Sequence, residues 1–307
     1  MTARNAIIVA RLLGGLGNQL FVYAAARRIA AARGARLFLD GYSDFARDRK
    51  YGAINQLSSF AIRAEFAPKE LCFSPHIGRH VRDLQLTLSR HLPLSRRFIV
   101  RETDFEALCA GAPTRRILRL EGYWQSERYF ASIAREIAQE LTTVAPLSQK
   151  SQELMALIAN SQSVGLHIRQ RRGAHHDPNV PPPPGAPQLP FSYYEEAVAR
   201  VAARVPSPTF FCFGDNPDWI RERWAFPYPV HFVDHNQAQE QAYEDLALLA
   251  ACRHFVVGNS TFSWWGAWLS RAPDKYIVAP ANEGTLKWGS EKDLIPAGWD
   301  VLKIEGA

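Results

Sequence analysis

Apolar residues fall in short blocks separated by glycine, proline and polar turns. Residues 6–13 (AIIVARLL) form a run that stops at Gly14 and Gly15, and an Ala-rich stretch from Asn18 to Arg33 follows, carrying Leu20, Phe21, Ala24 and Ala25. The order predicts strand, glycine turn, helix. RLFLD, ending at Asp40, predicts a second strand, so the chain opens as a β-α-β unit. Between 41 and 115 the apolar positions are sparse and irregular, which predicts short helices and loops. RRILRL predicts a strand before Glu121, and a helix is expected from Ser126 to about Leu141.

Beyond Pro146 the alternation becomes regular. A helix from about Ser148 to Asn160 leads to strand SVGLHIR, and after the Pro181–Pro184 run a helix is expected from about Tyr193 to Arg204. Strand TFFCF, a helix opening at Pro217, strand PVHFV, a helix from about Glu240 to Cys252, strand HFVVG, a helix starting at STFSWW and strand KYIVAP follow. Strands alternating with helices predict parallel sheets covered on both faces. Two domains are expected, 1–146 and 147–307.

The chain is 47% hydrophobic with 17 Phe, 10 Tyr and 8 Trp, which excludes disorder over most of its length. Its net charge is only +6, and no nucleic-acid partner is expected. The charge is uneven: residues 1–143 carry 22 basic and 13 acidic side chains, the remainder 14 and 17. The basic half suits anionic saccharides or an acidic membrane surface. Arginine far outnumbers lysine, a bias that suits bidentate anion recognition and equally fits genome composition. Cys72, Cys109, Cys212 and Cys252 are widely spaced without a CxxC pair, which argues against a zinc site or disulfide framework. With no signal pattern at MTARNAIIVARLLGG and no long apolar run, a cytoplasmic location is expected, with peripheral contact on the inner membrane as an extension.

Three segments carry candidate chemistry. Gly14, Gly15, Gly17 and Asn18 lie where a strand gives way to a helix, a place for an anion or simply for a tight turn. Leu20 stands where a dinucleotide fingerprint needs glycine, and no GxxxxGK occurs, so hydride transfer and NTP hydrolysis lose support, although Asp40 has ribose-binding spacing. His167-Ile168-Arg169 ends a predicted parallel strand, where ligands of open α/β sheets bind, and an Arg fork there suits a diphosphate. Asn259-Ser260-Thr261-Phe262-Ser263 ends another strand and opens a helix, so its hydroxyls can cap the helix and bind phosphate with the same groups.

GGLGNQLFVYAAARRIA, GYWQSERYF, VGLHIRQRRG, FFCFGDNPDWI and above all NSTFSWWGAWL make the sequence resemble glycosyltransferase family 11, the α-1,2-fucosyltransferases that use GDP-fucose, from about Ile7 to Trp299. The resemblance implies a GT-B-like α/β fold of two Rossmann-type domains facing a central cleft, with the GDP-sugar held mainly by the second. It implies inverting transfer without a cofactor or metal, in keeping with the absence of a DxD motif. It assigns Arg169 to the β-phosphate, His167 to the guanine or ribose, and Asn18, beside Gly15 and Gly17, to the diphosphate or sugar. Asn259, Ser260, Thr261 and Ser263 fall to phosphate, Asp215 to the nucleoside and His254 to the base. Tyr123 and Trp124 are expected on the acceptor side, facing a galactose-containing oligosaccharide or lipid-linked glycan.

One segment departs from the pattern. The family's HxRRGDY reads HIRQRRGAHHDPN, so Arg171 and Arg172 compete for the second arginine, and Asp177 stands in for the usual aspartate or that group is absent. His175-His176-Asp177 resembles a metal cluster, but adjacent histidines point different ways, which argues against zinc. Glu121 and Asp177 are the candidate general bases. Trp264, Trp265 and Trp268 offer either a sugar platform or core packing. Besides fucosyl transfer in surface polysaccharide synthesis, transfer from another GDP-sugar such as GDP-L-galactose, or binding without catalysis, stays open.

Overall fold

The computed structural model describes residues 6–47, 54–74, 76–169, 189–236, 238–283 and 292–304. Arg171, Arg172 and Asp177 lie outside the described residues. Contacts divide the chain into two units, Met1–Val144 and Ala145–Ala307.

The first unit runs β1 (Ile7–Arg11), α1 (Leu16–Arg33), β2 (Arg36–Asp40), β3 (Glu65–Phe66), α2 (Gly78–His91), β4 (Ile99–Val100), α3 (Phe105–Cys109), β5 (Ile117–Leu120) and α4 (Ala134–Glu140). Its parallel strands lie in the order β3-β2-β1-β5-β4. Helix α1 is buried on most faces because Ala24–Ala26 let it lie close to its neighbours, and it stops at Gly34, whose left-handed φ of 57° lets its N–H reach the Ala30 and Ala31 carbonyls. It begins at Leu16, two residues earlier than the apolar pattern suggests, because Gly15 occupies the cap position.

The helix expected from Ser126 to Leu141 is broken. Two single 3-10 turns, Glu127–Tyr129 and Ala131–Ile133, precede α4. The break lets Tyr129 and Phe130 point inward. Trp124 is fully buried among them, its ring edge-on to Tyr129 at 5.2 Å and to Phe105 at 6.5 Å. Its φ of 55° is strained for a non-glycine residue, by about 1–2 kcal/mol. Indole burial and the Glu102 carboxylate, which accepts the Trp124 N–H at 3.2 Å, offset that strain. The expectation that Trp124 faces an acceptor is therefore corrected: it has no accessible surface and serves the core. Tyr123, 43% exposed, does present its ring to solvent.

The second unit runs α5 (Gln149–Ala159), β6 (Gln162–Ile168), α6 (Phe191–Arg204), β7 (Pro208–Gly214), α7 (Pro217–Arg223), β8 (Val230–Val233), α8 (Ala242–Ala251), β9 (His254–Val256), α9 (Thr261–Leu269), β10 (Ile277–Pro280) and β11 (Asp300–Leu302). The parallel order is β11-β10-β9-β6-β7-β8. The second sheet winds outward in both directions from its first strand, the Rossmann-type pattern, whereas in the first sheet β1 is central and the edge strand β4 precedes the inner β5. Strand β6 is central and covered on both faces, which explains its unbroken apolar run. At Gly165 and Gly266 a Cβ would stand 2.5 and 2.4 Å from Leu249, so α8 and α9 seat against β6 and one another through that side chain. Trp264 and Trp265 are fully buried, and Trp264 donates its indole N–H to the Leu294 carbonyl at 2.7 Å. Two of the three tryptophans offered as a sugar platform are thus core residues.

Burial extends to His167. Desolvation, with Arg169 adding like charge, lowers its pKa from 6.5 to about 3, so the folded imidazole is neutral. The unfolded chain takes up a proton near pH 6.5 that the folded chain refuses. This contribution to stability is therefore complete above that pH and declines as pH falls from it towards about 3, by about 1.4 kcal/mol over the first unit. Urea unfolding on either side of pH 6.5 should show that slope, and His167→Gln, which cannot take up the proton, should flatten it. Trp124→Ala should lower unfolding free energy by about 3–5 kcal/mol, read from the urea midpoint; a loss below about 1 kcal/mol would contradict its core role.

Candidate active site

In the second unit the chain passes from β6 to β7 and β8 on one side, then returns to β9 on the other. The crevice beyond the carboxyl ends of β6 and β9 is the topological switch point, the usual ligand position in such sheets. Arg169 leaves β6 there, and Val257 to Ser260 leave β9. The two segments nearly touch, because a Cβ on Gly258 would lie 2.5 Å from the His167 carbonyl oxygen. Only glycine lets the loop pass so near.

Ser260 caps α9. Its hydroxyl oxygen accepts the Phe262 N–H at 3.3 Å and a guanidinium N–H of Arg169 at 3.3 Å. With both lone pairs engaged, its own hydrogen points elsewhere, as a donor for an anion. Arg169 is half-buried, and its guanidinium donates to this neutral hydroxyl. A guanidinium beside the positive end of a helix dipole suits an anion that offers two oxygens.

Two tyrosines of α6, absent from the sequence reading as site residues, brace this corner. The Tyr193 hydroxyl donates to the Val257 carbonyl at 2.6 Å, and the Tyr194 hydroxyl is buried beside the Gly258 turn without a hydrogen-bond partner among the described residues. Burial raises both phenols above their ordinary range, so they remain donors. The His167 ring lies 5.6 Å from Phe262, and its Nδ1 has no hydrogen-bond partner among the described residues. Asp215 follows Gly214, which pairs with Ile168, so it emerges beside Arg169 at the same sheet edge.

Two candidates take other roles. The Ser263 hydroxyl is buried and donates towards the Ser260 and Gly258 carbonyls at 3.0 and 3.3 Å, holding the loop instead of facing a phosphate. His254 starts β9, paired with Val164, so about four residues, roughly 13 Å of strand, separate it from Gly258. Its Nδ1 already accepts the Tyr276 N–H at 3.1 Å. The assignment of His254 to the base is corrected: it sits at the wrong end of the sheet. Asn259 is fully buried and Thr261 half-buried at the first turn of α9.

In the first unit the loop after β1 is similarly braced. Gly15 is exposed, with open space where a Cβ would stand, and Gly17 is buried. Asn18 Oδ1 accepts the Gln125 amide at 3.0 Å, which ties the glycine loop to GYWQ. Buried Gln19 donates to the Gly14 and Ile54 carbonyls and accepts the Gln56 N–H, so its part is structural. Glu121 gives both carboxylate oxygens to Arg11, which also pairs with Asp44 at 2.6 Å. With its lone pairs so engaged, Glu121 anchors the ends of β1 and β5 and is withdrawn as general base. Asp40 accepts the Tyr42 and Ser43 N–H groups and the Ser43 hydroxyl, which occupies the carboxylate that a ribose would need. A 540 Å³ cavity lies at the other end of β2, where Arg27 and Arg63 meet Glu140 and Arg36 meets Glu65, away from these loops. Among the described residues no cluster of His, Cys, Asp and Glu is arranged to hold a metal ion.

The chain is 28% identical to an alpha-1,2-colitosyltransferase of Escherichia coli, over 97% of this chain and 99% of the relative. It is 27% identical to the O-antigen biosynthesis glycosyltransferase WbnK of the same organism, over 88% and 92%. The mouse galactoside 2-alpha-L-fucosyltransferase Sec1 is 25% identical over 90% and 67%. The fold is similar to that of the fucosyltransferase NodZ from Bradyrhizobium, with a TM-score of 0.50, 14% identity and coverage of 86% and 92%. Two parallel-sheet units of Rossmann type are the GT-B-like class. Residues 95–302 match the model of Glycosyl transferase family 11, and the chain belongs to that family.

Proposed function

We propose that the protein transfers L-fucose from GDP-fucose to the 2-hydroxyl of a galactose-like residue, with inversion, in the synthesis of a surface polysaccharide. The observation that carries this reading is Arg169 held by the Ser260 hydroxyl at the amino end of α9. The acceptor oxygen bonds to the anomeric carbon as the bond from that carbon to the β-phosphate oxygen breaks. The electron pair leaves with GDP, and the hydroxyl proton passes to a base. Charge grows on the departing diphosphate, where Arg169 and the Ser260 hydroxyl stabilise it more than in the ground state. In this scheme Arg169 supplies the positive charge, and no metal is invoked. Asp215 is assigned to the nucleoside, Asn18 to the sugar or diphosphate and Asp177 to the base.

A second reading, transfer of a different sugar, is favoured by the full-length similarity to a colitosyltransferase. Acceptor-dependent release of the donor's nucleoside diphosphate, screened over GDP-fucose, a colitosyl donor, GDP-mannose, GDP-L-galactose and UDP-sugars, separates the two. Activity with UDP-sugars alone would overturn both.

Arg169→Ala should lower kcat/KM by about 100-fold or more with the circular dichroism spectrum unchanged. Arg169→Lys should recover only a small part, since an ammonium lacks the planar fork. Ser260→Ala should cost about tenfold, on transfer rather than stability alone. An Arg169→Ala enzyme of near-normal activity would sink the role given to that residue.

A further inference from the structure

At the carboxyl edge of the first sheet, β2, β1 and β5 end side by side, and the turns after the two outer strands each present a tyrosine to solvent. Tyr42 is 37% and Tyr123 43% exposed. Both turns are clamped in the same way. The Asp40 carboxylate accepts the Tyr42 N–H at 3.1 Å, and the Glu102 carboxylate accepts the Tyr123 N–H at 2.8 Å. On the second turn Gly122 passes against Glu102 with a φ of 145°, and Trp124 is folded into the core, which leaves Tyr123 outside. A ring on a fixed turn has already given up much of the freedom that binding would otherwise cost. The strand ends that carry the two rings are about 10 Å apart, with the end of β1 between them.

That end holds a charged network that stops in one open carboxylate. Arg11, the last residue of β1, has a side chain only 8% exposed. It donates to Glu121 from Nε at 2.8 Å and again from Nη2, and its Nη1 donates to Asp44 Oδ1 at 2.6 Å. Glu121 is engaged by the arginine through both oxygens, but the Asp44 side chain is 39% exposed, and among the described residues its Oδ2 accepts no hydrogen bond. A buried ion pair is costly to assemble. Here it fixes the direction of a carboxylate that stands in solvent. The network is not an anion trap, because Arg11 and Arg82 meet three carboxylates, Asp44, Glu121 and Asp83.

An ionised carboxylate only accepts hydrogen bonds, so it recognises hydroxyl and amide donors. A tyrosine offers an apolar ring face with a polar tip. A ring molecule with C–H groups on its faces and hydroxyls around its rim satisfies both at once, whereas an anionic sugar would meet Asp44 as a like charge.

We propose, resting on the transferase reading above, that Tyr42, Asp44 and Tyr123 form the site for an uncharged saccharide acceptor, with Arg11 and Glu121 holding Asp44 in place. At this edge the basic bias of the first half of the chain does not select anionic saccharides.

Initial rates of the full chain with lactose as acceptor test the site. Asp44→Asn and Tyr123→Ala should each raise the KM for lactose about tenfold, and Tyr42→Ala by a smaller factor, with the KM for GDP-fucose and the circular dichroism spectrum unchanged. The para-carbamoylphenyl β-galactoside should be a better acceptor than the para-carboxyphenyl one, which differs from it in charge, and Asp44→Asn should remove that preference. A loss of fold would not produce such a change in charge selection. An unchanged lactose KM in either Asp44→Asn or Tyr123→Ala, or a charge preference that survives Asp44→Asn, overturns the proposal. A wild-type chain that releases no diphosphate with any donor would remove the transferase reading, and saturation-transfer NMR of lactose then decides the site separately. Lactose signals lost in Tyr123→Ala keep it; no signal with wild type, or equal signals with both, remove it.

Discussion

Everything at the candidate site depends on how tightly backbones crowd the end of β6. On one side a Cβ on Gly258 would lie 2.5 Å from the His167 carbonyl oxygen, and on the other a Cβ on Gly214 would lie 2.5 Å from that of Ile168. With glycine on both flanks the neighbouring strands close in, and the side chain of Arg169 emerges at their common edge. Ser260 then falls within hydrogen-bond reach of the guanidinium, and α9 starts with its amino end at the crevice. Spread the strands by the width of a methyl group and the arginine loses its hydroxyl partner and the helix its aim.

The second unit was the more legible because its strands are long and doubly covered. β6 and β7 run seven residues each, with few polar interruptions, and proline and glycine mark the ends of β7. The first unit hides its edge strands: β3 and β4 are two residues each, too short for any period to register. The three-residue β11 escaped for the same reason. At the site, Arg169 and Ser260 were readable because each follows a strand that ends visibly. His254 misled because it adjoins the same motif in sequence, whereas a strand puts its two ends on opposite sides of a sheet. Trp124 misled because a tryptophan in a polar turn looks exposed, and nothing local announces the left-handed backbone that folds it inward. Tyr193 was passed over because its hydrogen-bond partner, Val257, lies 64 positions away.

Arginines explain how the electrostatics are partitioned. In the first unit many are neutralised locally: Arg11 by Glu121 and Asp44, Arg27 by Glu140, Arg36 by Glu65, Arg97 by Asp104. In the second unit Arg200 and Arg221 are likewise paired with carboxylates at the surface. Arg169 differs in being oriented by a neutral hydroxyl. A carboxylate would fix the guanidinium equally well but would cancel the field that a diphosphate needs.

The seam where Leu249 fills the space left by Gly165 and Gly266 links three elements through one side chain. Volume there is a shared quantity: a methyl gained on β6 or α9 must be matched by one lost from α8. Natural variants of this protein should therefore change at these three positions together. A drift in size at the seam would be felt as a tilt of α9, and so at Ser260, one residue before that helix begins.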